Sequence, residues 1–265
     1  MNRISRVFEN LRRDGRAGLI AYLTAGDPAP ARTAPLVAAL ERGGADIIEL
    51  GVPFSDPIAD GPVIQRAADR ALKAGTTLAR VLEIASEIRQ RSEIPLVLFT
   101  YLNPILRYGF EKLAADAAAA GIDGCLMTDL SVEEADQYVS VMRANGLDTV
   151  FLAAPTSSER RLRLVARYST GFVYLVSRTG VTGEQTSVSS SVAPLVASLR
   201  AITDLPMAVG FGVSTAAQVR EVCSCADAAA VGSAFVRVIE QCGDDRNLEQ
   251  RLEQFTRELA VGLHR

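Results

Sequence analysis

The chain has one histidine, His264, two lysines, Lys73 and Lys112, and no tryptophan among its 265 residues. A single histidine near the C-terminus removes both a His-based zinc site and a Ser-His-Asp triad. No G-x-S-x-G turn is present either. Both lysines fall in helical or loop-to-helix patterns, so none stands at a strand end where a Schiff base would form. The four cysteines, Cys125, Cys223, Cys225 and Cys242, form no C-x-x-C pair and read as small buried side chains in a reducing compartment. No apolar run approaches the ~20 residues that span a bilayer. No basic stripe accompanies the net charge of -3, so neither a membrane nor a nucleic acid is an expected partner. A secretory apolar region is missing, and Glu9 and Asp14 argue against a transit peptide, so the expected location is cytoplasmic.

What is present is a regular alternation. Hydrophobic residues make up 48% and charged residues 22%, the balance of a soluble globular chain able to bury a large core. Apolar runs predict strands at Leu19–Thr24, Asp46–Gly51, Pro95–Thr100, Gly124–Asp129, Thr149–Ala153, Phe172–Val176, Met207–Gly210 and Ala226–Val231. Between them the pattern predicts helices, among them Thr33–Arg42, Leu78–Arg91, Phe110–Ala120, Val132–Asn145, Glu159–Tyr168, Val192–Ala201 and Ala216–Cys223, with Leu248–Leu263 closing the chain. Near the start, Ile4, Val7, Phe8 and Leu11 recur at helical spacing, the mark of a short amphipathic helix docked on the rest. Eight strand–helix units without a linker imply an α/β fold, a (β/α)8 TIM barrel with an extra N-terminal helix, as one domain over residues 1–265. An open doubly wound sheet is the rival; the unit count in this length favours closure.

Barrel enzymes carry their sites at the C-terminal ends of the strands. Here the last two such ends hold Gly210, Gly212, Gly232 and Ser233. Bare backbone N–H groups and a helix beginning near Ser233 suit a phosphate. Strand two ends in E-L-G-V-P-F-S-D-P. Period-two alternation puts Glu49 on the face of Ile47 and Gly51. If that face lines the barrel, desolvation raises its pKa toward neutrality and suits it to proton transfer. Asp60 stays ambiguous, since D-G-P is also ordinary turn chemistry ahead of a helix near Pro62. Spacing and elimination together leave carboxylate acid/base chemistry on a small phosphorylated molecule.

The stretches Y-L-T-A-G-D-P, E-L-G-V-P-F-S-D-P-I-A-D-G-P-V-I-Q, Y-L-N-P-I, A-P-T-S, Y-L-V-S-R-T-G-V-T-G and G-F-G-V-S resemble, in order, the α chains of tryptophan synthase. The resemblance runs from about residue 4 to 262. It implies retro-aldol cleavage of indole-3-glycerol phosphate to indole and D-glyceraldehyde 3-phosphate. In that reaction Glu49 would move the protons and Asp60 would accept from the indole N–H. It further implies an indole pocket of Tyr22, Tyr101, Leu126, Ala153 and Tyr174. The glycerol phosphate site would be Thr182, Gly183, Gly210, Phe211, Gly212, Gly232 and Ser233, under a lid at 177–191. No cofactor is implied in this chain. The implied partner is a β chain carrying pyridoxal phosphate in an α2β2 heterotetramer, faced by Pro53, Asp56, Pro57 and the loop at Asn103 and Pro104. Tyr22 stands where the family often has Phe, so its hydroxyl must find a partner in a dry pocket. Two other readings compete: a barrel isomerase of a phosphorylated aminosugar, and a non-catalytic activator of a β chain.

Overall fold

The structure, a computed structural model, describes residues 2–176, 192–210, 212–243 and 245–263. Nine parallel strands form one sheet: β1 Gly18–Thr24, β2 Ile47–Gly51, β3 Leu96–Thr100, β4 Gly124–Met127, β5 Asp148–Val150, β6 Leu152–Ala153, β7 Val173–Val176, β8 Met207–Gly210 and β9 Ala228–Val231. The hydrogen-bonded order is β5-β4-β3-β2-β1-β9-β8-β7-β6. The two ends of that order, β5 and β6, are separated in sequence only by Phe151, so they are halves of one strand that changes partner. Tyr174 N–H donates to the Phe151 carbonyl at 3.1 Å across the seam. The predicted strand Thr149–Ala153 thus closes an eight-unit TIM barrel.

Alternation along each strand sorts the core into two layers. Ile20, Tyr22, Ile47, Val97, Phe99, Leu126, Val150, Tyr174, Ala208, Ala228 and Ala230 pack together inside the ring. Leu19, Ala21, Leu23, Ile48, Leu50, Leu96 and Leu98 join the layer under the helices. This is the period of two expected for strands buried on both faces. The amphipathic N-terminal helix is Arg3–Arg13, capped by the Asn2 side chain accepting from Ser5 N–H at 2.9 Å. Its Ile4, Phe8 and Leu11 belong to the inner layer, and Phe8 meets Phe172 with ring centroids 5.9 Å apart. The helix plugs the N-terminal mouth of the barrel, leaving the opposite mouth for a site.

Three acids at the strand starts, buried Asp123 and half-buried Asp46 and Asp227, are held by partners. Asp46 accepts from Leu19 N–H and pairs with Arg16 at 2.6 Å. Asp123 accepts from Leu96 N–H and meets Arg89 at 3.1 Å. Asp227 accepts from Met207 N–H at 2.8 Å and pairs with Arg200. Each carboxylate ties a strand start to its neighbours, a structural task that needs no catalytic explanation.

Two local differences bear on the site. Val132–Asn145 is a 3-10 turn, Val132–Glu134, followed by a helix at Asp136–Ala144. Asn103 and Pro104, expected in a loop, lie in the first turn of a helix, Leu102–Tyr108. Proline is tolerated there because first-turn N–H groups have no intrahelical acceptor. The orphan N–H of Leu102 is met by Asp129 Oδ1 at 2.7 Å, from beyond β4. Among the described residues no helix is long and apolar enough to cross a membrane.

Candidate active site

The open mouth collects Glu49, Asp60, Tyr22, Tyr101, Leu126 and Tyr174. Glu49 sits in register with Tyr22 on one side and Val97 on the other, so its side chain points inward among apolar neighbours. It is 1% exposed, and its Oε1 has no hydrogen-bond partner among the described residues. Burial alone pushes its carboxyl up to about 8. At neutral pH the group is therefore mostly a carboxylic acid, able to give a proton and then take one.

Asp60 is reached by the loop after β2, and that loop is tightly held. Val52 N–H donates to Phe99 O at 2.9 Å, Asp60 N–H to Pro57 O at 3.0 Å, and Gln65 Nε2 to Asp60 O at 2.7 Å. Gly61, not Asp60, is the N-cap of the helix Pro62–Lys73, and Pro62 opens that helix. The turn chemistry of D-G-P thus belongs to Gly61 and Pro62, and the Asp60 side chain turns inward. Its Oδ2 accepts from the Tyr101 hydroxyl at 2.9 Å, while Oδ1 has no hydrogen-bond partner among the described residues. Burial raises this carboxyl to about 6, against the Tyr101 hydrogen bond, which favours the charged form. Tyr101→Phe is therefore expected to move the Asp60 pKa above about 6, measurable by carboxyl 13C NMR; an unchanged value would show the hydroxyl does not stabilise the ion.

Tyrosines and glycines shape the space. Tyr22 shares a hydrogen bond with the Thr24 hydroxyl at 3.2 Å, the partner that a buried phenol requires. A side chain on Gly51 would collide with the Tyr22 hydroxyl, and one on Gly210 with that of Tyr174. Gly210 ends β8, Gly212 has φ +97°, and Gly232 is the N-cap of the helix Ser233–Cys242. Because β8 pairs with β9, these glycines and Ser233 come together where a helix N-terminus meets open backbone. Thr182, Gly183 and Phe211, and the expected lid at 177–191, lie outside the described residues.

One expected pocket residue is corrected. Ala153 faces the helices and packs in the outer layer, whereas Leu152 and Ala154 lie against the inner one. The alternation from Val150 dictates this, since 150, 152 and 154 share a face. Phe99, also unforeseen, packs edge-on against Tyr22 at 5.1 Å and was readable by the same alternation from Val97.

Outside the pocket, Phe54 and Tyr101 bring the two expected partner segments together, ring centroids 5.3 Å apart. Pro53 is buried, Pro57 and Pro104 half-buried, and Asp56 and Asn103 exposed. Beside them stand two large apolar side chains that no sequence pattern singles out: Ile58, 76% exposed, and Leu106, 55% exposed. Exposed apolar groups on adjoining segments suit a protein partner.

A family model described as tryptophan synthase alpha chain matches residues 8–264. A tryptophan synthase alpha chain of Solibacter usitatus is 69% identical over 262 residues, 99% of this chain and 98% of the relative. One of Geotalea uraniireducens is 47% identical over 263 residues, 99% of this chain and 98% of that one. A solved structure of Mycobacterium tuberculosis tryptophan synthase superposes with a TM-score of 0.92 at 39% identity, covering 100% of this chain and 99% of that one.

Proposed function

The chain belongs to the tryptophan synthase alpha chain family, and on that premise we propose that Glu49 and Asp60 carry out its reaction. That reaction is the cleavage of indole-3-glycerol phosphate to indole and D-glyceraldehyde 3-phosphate, a lyase step of L-tryptophan biosynthesis. Glu49, as the neutral acid, protonates indole C3. Positive charge then develops on the ring nitrogen, and the Asp60 carboxylate accepts the N–H hydrogen bond and stabilises it. The ionised Glu49 takes the proton of the hydroxyl on the carbon bonded to C3. The bond from that carbon to C3 breaks, its electron pair returns to the ring, and the aldehyde forms. Glu49 ends protonated as it began. The substrate's own ring is the electron sink, so the step draws on no cofactor in this chain.

Tyr22, Phe99, Leu126, Leu152 and Tyr174 form the indole walls in this reading. Gly210, Gly212, Gly232 and Ser233, with Thr182, Gly183 and Phe211, take the phosphate. As an alpha chain the protein pairs with a beta chain. We place Pro53, Asp56, Pro57, Asn103 and Pro104 on that surface, with Ile58 and Leu106, in a cytoplasmic α2β2 assembly whose beta chain holds pyridoxal phosphate. The observation that carries the catalytic reading is the contrast in partners. Asp46, Asp123 and Asp227 at the strand starts have side-chain ion pairs, while Glu49 Oε1 and Asp60 Oδ1 are buried without a hydrogen-bond partner among the described residues.

Indole release by the purified chain, with and without a beta chain, tests it. Indole is expected in both cases. No indole even with the beta chain would favour a non-catalytic activator, and turnover of a phosphorylated aminosugar instead would favour an isomerase. The pH profile of kcat/KM is expected to be bell-shaped. It falls below about 6 as Asp60 becomes neutral, and above about 8 as Glu49 loses its proton. A profile flat across that window would sink the assigned protonation states.

A further inference from the structure

The motif T-A-G-D-P after β1 has no part in the chemistry above, yet its Asp27 is wholly buried. Both carboxylate oxygens are taken by Arg70 of the helix Pro62–Lys73: Nε donates to Oδ1 at 2.7 Å and Nη2 to Oδ2 at 2.8 Å. The third nitrogen, Nη1, donates to Glu240 Oε1 at 2.9 Å. Glu240 lies on the helix Ser233–Cys242 and is also held by Arg66, one turn before Arg70, at 2.6 and 2.8 Å. One guanidinium thus joins three segments. The first is the loop after β1, whose Ala25 N–H donates to Gly51 O at 2.9 Å, two residues past Glu49. The second is the helix that begins two residues after Asp60. The third is the helix whose N-cap is Gly232.

Resting on the reading of Asp60 and the phosphate site given above, we propose that Arg70 is a positioning residue for the reaction. Its fork fixes the helix following Asp60 against Asp27 and against the helix whose N-terminus receives the phosphate. Lysine cannot replace it, because one ammonium lacks the planar fork that spans two carboxylates. Small displacements of a reacting group cost large factors in rate.

Arg70→Lys keeps the charge and removes the fork. In the purified chain kcat/KM for indole-3-glycerol phosphate is expected to fall at least ~10-fold, on the scale of misplaced catalytic groups. In an Asp60→Asn background the same substitution is expected to change it less than ~2-fold, because the group being positioned has already lost its charge. A lowered Tm with kcat/KM of the folded protein unchanged would make Arg70 merely structural and overturn the proposal. So would an equal loss in both backgrounds. If Asp60→Asn alone leaves the rate intact, the reading of Asp60 fails first and takes the proposal with it. Should Arg70→Lys not fold, Glu240→Ala removes the acceptor of Nη1 at a side chain that is 25% exposed. It is expected to give a smaller loss that also vanishes in the Asp60→Asn background; no loss overturns the proposal.

Discussion

The Glu49→Gln chain is expected to release indole at least ~10²-fold more slowly than the parent, the lower bound for losing a positioned proton-transfer group. Glutamine has nearly the same shape, so the pocket keeps its volume, and only the titratable proton is lost. Stability gives a second, opposite readout. The folded carboxyl titrates at about 8 and the unfolded one near 4.5, so the folded state holds a proton the unfolded state has lost between those values. Stability from this group is therefore fully present below about 4.5 and is lost as pH rises through about 8. The loss is on the order of a few kcal/mol. Glu49→Gln does not titrate, so its Tm at pH 9 is expected to be no lower than the parent's. A structural acid would behave in the reverse way, with activity kept and stability lost. Full activity in the mutant would remove Glu49 from the mechanism.

Asp60→Asn is expected to lower kcat by ~10² to 10³-fold, the range seen when a preorganised stabiliser of developing charge is removed. Asparagine can still accept from the Tyr101 hydroxyl, so the loop keeps its anchor. What disappears is a negative charge in a site with little solvent to screen it. Because the ring nitrogen becomes positive only on the way to the transition state, the loss falls on kcat, while KM is expected to move less than ~3-fold. A raised KM with kcat intact would make Asp60 a binding residue alone.

Glu49 and Asp60 were unequally legible. Glu49 stands inside a strand, where alternation is strict, and Ile47 beside it marks the inner face. Tyr22, Leu126 and Tyr174, named by the resemblance, lie on the same inner face, and alternation from Val150 selects Leu152 over Ala153. Asp60 stands in a loop, where no period operates. Its direction depends on Tyr101, 41 positions away, and on Gly61 taking the cap. Asn103 and Pro104 were misplaced for a similar reason, since Asp129, 27 residues beyond Leu102, meets the N–H that lets the helix begin there.

By itself the sequence determined the eight units, the face that Glu49 shares, the shortage of lysine and histidine that leaves carboxylates to do the chemistry, and the family. These are local or compositional properties, set by neighbours one to four residues apart. The tertiary structure alone decided which acids have partners. Asp46, Asp123 and Asp227 are neutralised by arginines from elsewhere in the chain, Asp27 is clamped by Arg70, and Glu49 Oε1 and Asp60 Oδ1 are left unmet among the described residues. The cost of a buried charge depends on what surrounds it in space, and the ring brings together residues that the chain keeps far apart.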